Sequence, residues 1–356
     1  MIGRLDVVPC IFALYNQNTR YVACKIQFER EHFITMNNRI IRQYSTSITR
    51  MAKCLFLCLL FLLSCTTMTG CTTKEESTQK QMNCEFYYLA DYWNAYDLSH
   101  SALPTQESFE ALTTQYIPEI ETLLGIYDWW AQTVPNADTI GINMQAGNGG
   151  SWSYSPSKIS DKTVEITIIL DLDSLQKGYG LDAALAHELT HAIAGASFSQ
   201  SLEEGLCEYV QTQIGTNPYR AQPEWTKCEI IKLYMNMLQD KDIASTEKMS
   251  EIKNHIGAAE GGCPYGISTR NGRLWYRYSG TFVTYLIDTY GMEKTIDLIR
   301  EGTDENSFEK YLGKSFEKVK NDWIAWFDAL EPSMTVEEIV KVEKAYMTQF
   351  GYSSAE

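Results

Sequence analysis
The spacing of apolar and polar residues changes character several times along the chain, and each change predicts a different element. Residues 1–50 sustain neither a helical nor a strand period. Cys54 to Leu63 are almost wholly Leu, Phe and Cys, whereas Thr72 to Met82 are mostly Thr, Lys, Glu, Ser and Gln. From about 85 to 131, Leu112, Tyr116, Ile120, Leu123, Leu124 and Tyr127 recur at helical spacing, with Pro118 expected to kink or restart the helix. Thr139 to Met144 and Val164 to Leu170 are short β-rich runs, separated by a Gly-Asn-Gly-Gly-Ser turn at 147–151. Beyond Leu181 the spacing predicts helix almost throughout, over about 181–195, 201–214, 224–239, 279–290, 293–301, 315–329 and 335–348. Helices, a few strands and then more helices make an α+β chain with a small sheet and a mainly helical C-terminal lobe.

Composition narrows the class. The chain has 356 residues, 44% hydrophobic and 12% aromatic, enough for one or two domains with a sizeable core. It lacks the run of about 18 apolar residues that a multi-span membrane protein would repeat. The formal charge is −15, and no stripe of Lys and Arg could displace counterions from a phosphate backbone, which argues against nucleic acid as a partner. That charge is unevenly placed: residues 1–71 hold 3 acids and 8 bases, residues 72–356 the other 42 acids and 22 bases.

At the junction, Met51-Ala-Lys53, the apolar run and the small residues that follow have the form of an export signal, too short to span a bilayer. Its ending resembles a bacterial lipoprotein signal, in which a cysteine is lipidated and becomes the new N-terminus. Cys71 follows the better small pair and is preferred; Cys65 has the better-placed Leu62 and is the alternative. A cleaved signal without lipid is a second reading, and both export the protein to the cell envelope or surface. Residues 1–50 then read as an over-extended start or a removed leader outside the fold, although Arg42 to Arg50, rich in Arg and Ser without acids, leave room for a transit peptide. Residues 72–84 read as a flexible tether. Of the cysteines beyond the signal, Cys84, Cys207, Cys228 and Cys263 match no zinc-ribbon spacing, and in an oxidising compartment they could form up to two disulfides. Cys207, inside an apolar helical stretch, reads instead as a buried thiol.

The chemistry lies in Ala186-His187-Glu188-Leu189-Thr190-His191-Ala192. Residues four apart on a helix share a face, so His187 and His191 can aim both imidazoles at one metal ion, while Glu188, about 100° round, can reach a water beside it. Leu181, Leu185, Leu189 and Ile193 form an apolar row that would bury the helix, and Gly195 is a plausible terminator. A third ligand is sought in the next helix, Ser201-Leu-Glu203-Glu204-Gly205-Leu-Cys-Glu208-Tyr209. Glu204 is preferred, with Glu203 in reserve. The competing reading makes Ser201-x-x-Glu204 a capping box. Gly205 weighs against it, because a helical glycine costs about 1 kcal/mol relative to Ala and is better explained by close packing on the metal helix. Glu208, one turn beyond Glu204, is placed to accept the outer ring N–H of His187 or His191.

His187-Glu188-x-x-His191 followed by Leu202-Glu203-Glu204-Gly205-Leu206-x-Glu208-Tyr209 resembles the gluzincin metallopeptidases, specifically the peptidase MA-like group. The resemblance continues in Phe282-Val283-x-Tyr285-Leu286-x-x-x-Tyr290-Gly291, Phe308 to Phe316 and Trp323-x-x-Trp326, and covers about 165–330. It implies a thermolysin-like fold: a small mixed sheet with an edge strand, here Val164 to Leu170, over the metal helix, then a helical lobe. It also implies one Zn2+ held by His187, His191 and Glu204. On this reading 85–330 is the peptidase domain, with 85–175 its N-terminal helices and sheet and 176–330 the metal helix and helical lobe; 331–356 is a helical tail.

The resemblance implies hydrolysis of peptide bonds by a zinc-activated water, with Glu188 as general base and a Tyr or His of the helical lobe helping the oxyanion. Tyr278 is the choice for that role, Tyr276 and His255 the alternatives. The chain lacks the exopeptidase strand of the aminopeptidase relatives, so an endopeptidase acting on peptide or protein, tethered by its N-terminal lipid, is expected. A catalytically silent surface lipoprotein that binds peptide or glycan on the same scaffold is the runner-up, and the intact Glu188 weighs against it. A structural zinc domain would prefer four Cys and His ligands.

Overall fold
A computed structural model describes residues 82–88, 105–147, 151–153, 155–171, 181–215, 219, 222, 225–240, 245–259, 263–265 and 269–349. The expected start region 1–50, the signal 51–71 with Cys65 and Cys71, and nearly all of the tether lie outside them. No helix among the described residues is long and apolar enough to cross a membrane.

The first element corrects the sequence reading. Asn83–Tyr88 is a strand, β1, where tether and then helix were expected. It alternates: Cys84 and Phe86 pack on the core, while Tyr87 is exposed and donates its hydroxyl to Glu85. Six residues of period-two pattern are too few to stand out beside the long helical run that follows. That run becomes α1, Gln106–Leu124, opened by a capping box between Thr105 and Ser108 and closed by left-handed Gly125. The helix continues through Pro118 instead of restarting there; Tyr116, Ile117 and Ile120 are buried on either side of it, and tertiary packing outweighs the one missing N–H.

Four further strands complete a mixed sheet: β2 (Thr139–Gly147), β3 (Trp152–Ser153), β4 (Ser157–Lys158) and β5 (Thr163–Asp171). β1 pairs parallel with β2, Asn83 opposite Thr139, and β2 pairs parallel with β5, Thr139 opposite Thr163. β4 and β3 return antiparallel along the far side of β5, Lys158 opposite Val164 and Ser153 opposite Ile168. β5 is therefore interior to the sheet, and the expected edge strand at Val164 to Leu170 gives way to the short β3 and β4. Val164, Ile166, Ile168 and Leu170, alternate residues on one face of β5, are fully buried.

The helical part comprises α2 (Leu181–Ala194), α3 (Gln200–Gln213), α4 (Lys227–Asp240), α5 (Thr246–Asn254), α6 (Arg270–Tyr290), α7 (Met292–Glu301), α8 (Ser307–Leu312), α9 (Phe316–Asp328) and α10 (Val336–Gln349). The chain is thus α+β, as the order of patterns predicts. α2 packs on α1, on β5 and on β3. α3 crosses α6 at closest range, because Gly205 leaves no side chain where a Cβ would stand 2.4 Å from the Ser279 carbonyl oxygen. The close partner of Gly205 is therefore α6, and not the metal helix. Beneath α6 the rings of Tyr278, Phe282, Phe308, Phe316, Trp323 and Phe327 form a continuous aromatic layer. The tail helix α10 docks on α4, and Tyr219 hydrogen-bonds Glu343.

Candidate metal centre
α2 carries the two histidines because its other face is greasy. Leu185, Leu189 and Ile193 are buried and fix the rotation of the helix, leaving His187 and His191 on the half-buried side with ring centroids 5.1 Å apart. Gly195, left-handed at φ 78°, ends the helix, its N–H bonding the His191 carbonyl. Residues 195–199 then turn the chain directly into α3, so Glu204, one turn into α3, comes back beside the histidines although only twelve residues separate it from His191.

The three side chains meet. Glu204 Oε2 lies 3.2 Å from His187 Nε2 and 3.4 Å from His191 Nε2. Charge-assisted hydrogen bonds to a carboxylate run shorter, about 2.7–2.9 Å. One oxygen facing two ring nitrogens at these distances also matches two edges of a ligand tetrahedron, since donors about 2.0–2.1 Å from a common zinc stand about 3.3 Å apart. The donor set therefore fits a small divalent cation. Glu204 does not cap α3: the N-cap is Ser199, no side chain caps it, and Ser201 Oγ accepts from the Gly257 N–H instead. The other oxygen of Glu204 accepts from the Tyr276 hydroxyl at 3.2 Å and from Gln200 Nε2 at 3.5 Å, which orients the carboxylate.

Glu203, the reserve ligand, meets His191 from the other side of its ring. Its Oε1 meets His191 Nδ1 at 2.9 Å, which places the ring proton on Nδ1 and turns Nε2 toward Glu204. The sequence reading gave that service to Glu208, which pairs instead with Lys227 at 2.9 Å. A fourth donor went unnoticed: Cys207 Sγ and one ring nitrogen of each histidine all lie within 4.8 Å of one another, a group that could itself hold a metal ion. Its only sequence signal is its place one turn after Glu204. All four described cysteines are free, so no disulfide joins Cys84, Cys207, Cys228 or Cys263.

Glu188 is buried, and its Oε2 has no hydrogen-bond partner. Burial raises its pKa above the usual carboxylate value, against the lowering pull of the two histidines. Ser153 of β3 donates to the Glu188 backbone carbonyl at 2.9 Å, tying the sheet edge to the metal helix. Burial raises the Glu204 pKa, but the two imidazoles outweigh it and the net shift is downward. For His191 burial works downward and Cys207, Glu203 and Glu204 upward, with a net rise. The cluster carries more acid than base, a surplus that suits a cation.

The expected oxyanion donor is not at this site. Tyr278 is on the buried face of α6, edge-on to Trp323 and Phe327. A period of 3.6 explains the error: two residues along a helix points nearly the opposite way, and Tyr276 is the one facing Glu204. His255 caps α5 and packs its ring on Tyr265. No family model matches the chain, and no curated protein matches its sequence.

Proposed function
We propose that the protein is an exported, membrane-tethered zinc peptidase of thermolysin-like fold, related to the gluzincins of the peptidase MA-like group and cutting within polypeptides. The observation that carries the reading is the convergence of one Glu204 oxygen on both Nε2 atoms, with the buried Oε2 of Glu188 unpartnered. When bound, zinc supplies Lewis acidity, polarising a carbonyl and bringing the pKa of water near 7. His187, His191 and Glu204 would hold it. Glu203 keeps His191 in the tautomer that offers Nε2, and Tyr276 fixes the direction of Glu204, so Tyr276 is a positioning residue.

Glu188 does the proton work. Its Oε2 takes a proton from the attacking water and delivers it to the nitrogen of the departing amine. Burial makes the carboxylate a stronger base than a solvated one, which suits a group that must both accept and return a proton near neutral pH. The substrate strand adds to the sheet at β3, whose Ser153 already touches the metal helix, placing the peptide along α2.

The test is metal content of the purified protein together with profiling of peptide cleavage, with and without chelator. One zinc per chain and cleavage that chelator abolishes and zinc restores are expected. Stoichiometric zinc without cleavage of any peptide, in the native protein and in Cys207→Ala alike, would favour the silent binding scaffold. Absence of metal would end both readings.

A further inference from the structure
Cys207 sits oddly for a packing residue. It is 1% exposed, yet its polar neighbours are the metal-facing groups: it lies beside His191 and in the field of Glu204 and Glu188. It follows Glu204 by three positions, on the same side of α3, and its sulfur groups with both imidazoles. At a tetrahedral angle, bonds of about 2.0 Å to nitrogen and 2.3 Å to sulfur set the two atoms about 3.5 Å apart. Among His187, His191 and Cys207 the 4.8 Å bound is thus closed by side-chain shifts of about 1 Å, and Glu204 Oε2 already stands 3.2 and 3.4 Å from the two imidazoles.

The geometry points to Cys207 as a fourth protein ligand, one that completes a His187, His191, Glu204 and Cys207 tetrahedron and holds the centre closed at rest. This inference rests on the zinc reading above and goes beyond it. On ligation the thiol gives its proton to solvent, and its sulfur excludes water from the fourth position. Catalytic zinc sites keep a position open, whereas four protein donors make a closed one. Turnover therefore runs through the fraction of molecules in which the sulfur has let go, with the Glu188 carboxylate waiting beside the vacated corner. A thiolate also selects zinc or cobalt over the hard cations magnesium and calcium.

The experiment loads the full chain with Co2+ after chelation and records its absorption, in parallel with the Cys207→Ala and Cys207→Ser variants. Native protein should develop a near-ultraviolet thiolate-to-cobalt charge-transfer band that saturates at one equivalent. Both variants, checked for unchanged helical circular dichroism, should bind Co2+ without that band and at least about tenfold more weakly. With zinc loaded, they should cleave peptide several-fold faster than native protein. Tight cobalt binding by native protein with no charge-transfer band, or a band that survives in Cys207→Ala, would overturn the assignment and leave the three-ligand centre standing. A band that disappears in the variants without any gain in cleavage would overturn the closed resting state. No cobalt binding at all would remove the metal reading itself.

Discussion
Gly205→Ala sets two well-measured effects against each other. Within a helix, Ala is favoured over Gly by about 1 kcal/mol, so local propensity predicts a more stable protein. The structure predicts the reverse. The added Cβ would stand 2.4 Å from the Ser279 carbonyl oxygen, 2.8 Å from its carbon and 2.6 Å from Val283 Cγ2. Ordinary carbon–oxygen contacts run at about 3.3 Å or more, so α3 and α6 would have to part by about 0.9 Å. The obstacle is backbone in the middle of a buried helix and cannot swing aside. Overpacking of this kind costs about 1–3 kcal/mol and here belongs at the upper end, which leaves a net loss of about 2 kcal/mol. In a domain of this size that is a fall of roughly 4–8 °C in melting temperature. Denaturant titration followed by tryptophan fluorescence, in chelator so that metal binding does not mask the change, reads it directly. Gly280→Ala is the comparison, since its Cβ would meet only the Glu208 side chain, the nearest atom Cβ at 3.0 Å, and should cost less. A Gly205→Ala protein as stable as the native one, or more so, would refute the close crossing and with it the placement of α3.

Glu188→Gln should retain zinc at native stoichiometry while kcat/KM falls by at least about 10²-fold, measured by elemental analysis and peptide turnover on the same preparation; loss of the metal as well would make Glu188 a ligand. Glu203→Ala removes the partner of His191 Nδ1 and should weaken metal binding about 10–100-fold in a chelator competition, whereas an unchanged affinity would deny the tautomer argument. Lys227→Met strips the half-buried Glu208 of its cation and should cost about 2 kcal/mol at neutral pH. Burial raises the Glu208 pKa, but Lys227, His187 and Arg277 together outweigh it and the folded value lies below the usual 4.5. The pair's contribution is therefore complete above that pH and lost as pH falls through the depressed value. Denaturation of native and variant proteins should converge at acid pH, and a gap that persists there would locate the effect elsewhere.

Long elements with a strong period were legible from sequence. The two longer strands and the helices at 181, 201, 224, 293, 315 and 335 appear within a few residues of their expected places. What escaped were the first nine residues of α6, expected only from 279, and the short pieces β1, α5 and α8, of six to nine residues each. In these the period has no room to repeat, and β1 exists because β2 offers it a parallel neighbour. The layering of the sheet escaped for a related reason. Nothing in Val164 to Leu170 tells whether both of its edges are paired; that depends on a turn at 159–162, where Ser160 Oγ accepts from the Lys162 and Thr163 N–H groups and folds β4 back onto β5.

The centre divides along the same line. His187, Glu188 and His191 are legible because their relation is internal to one helix and fixed by its pitch. The roles on α3 depend on how that helix is rolled about its own axis. At about 100° per residue, Glu203 and Cys207 lie about 40° apart, Glu204 a further 60° round and Glu208 about 40° beyond that. A roll of some 40° would bring Cys207 round to the direction of Glu203 and Glu208 to that of Glu204, and take both acids off the histidines. Position 205 lies opposite the middle of the Glu203 and Cys207 pair, and its contact with the Ser279 carbonyl is what stops the roll. The residue that aims the acids is thus the one without a side chain. Its influence cannot be read until α6, some seventy positions downstream, is seen lying across it.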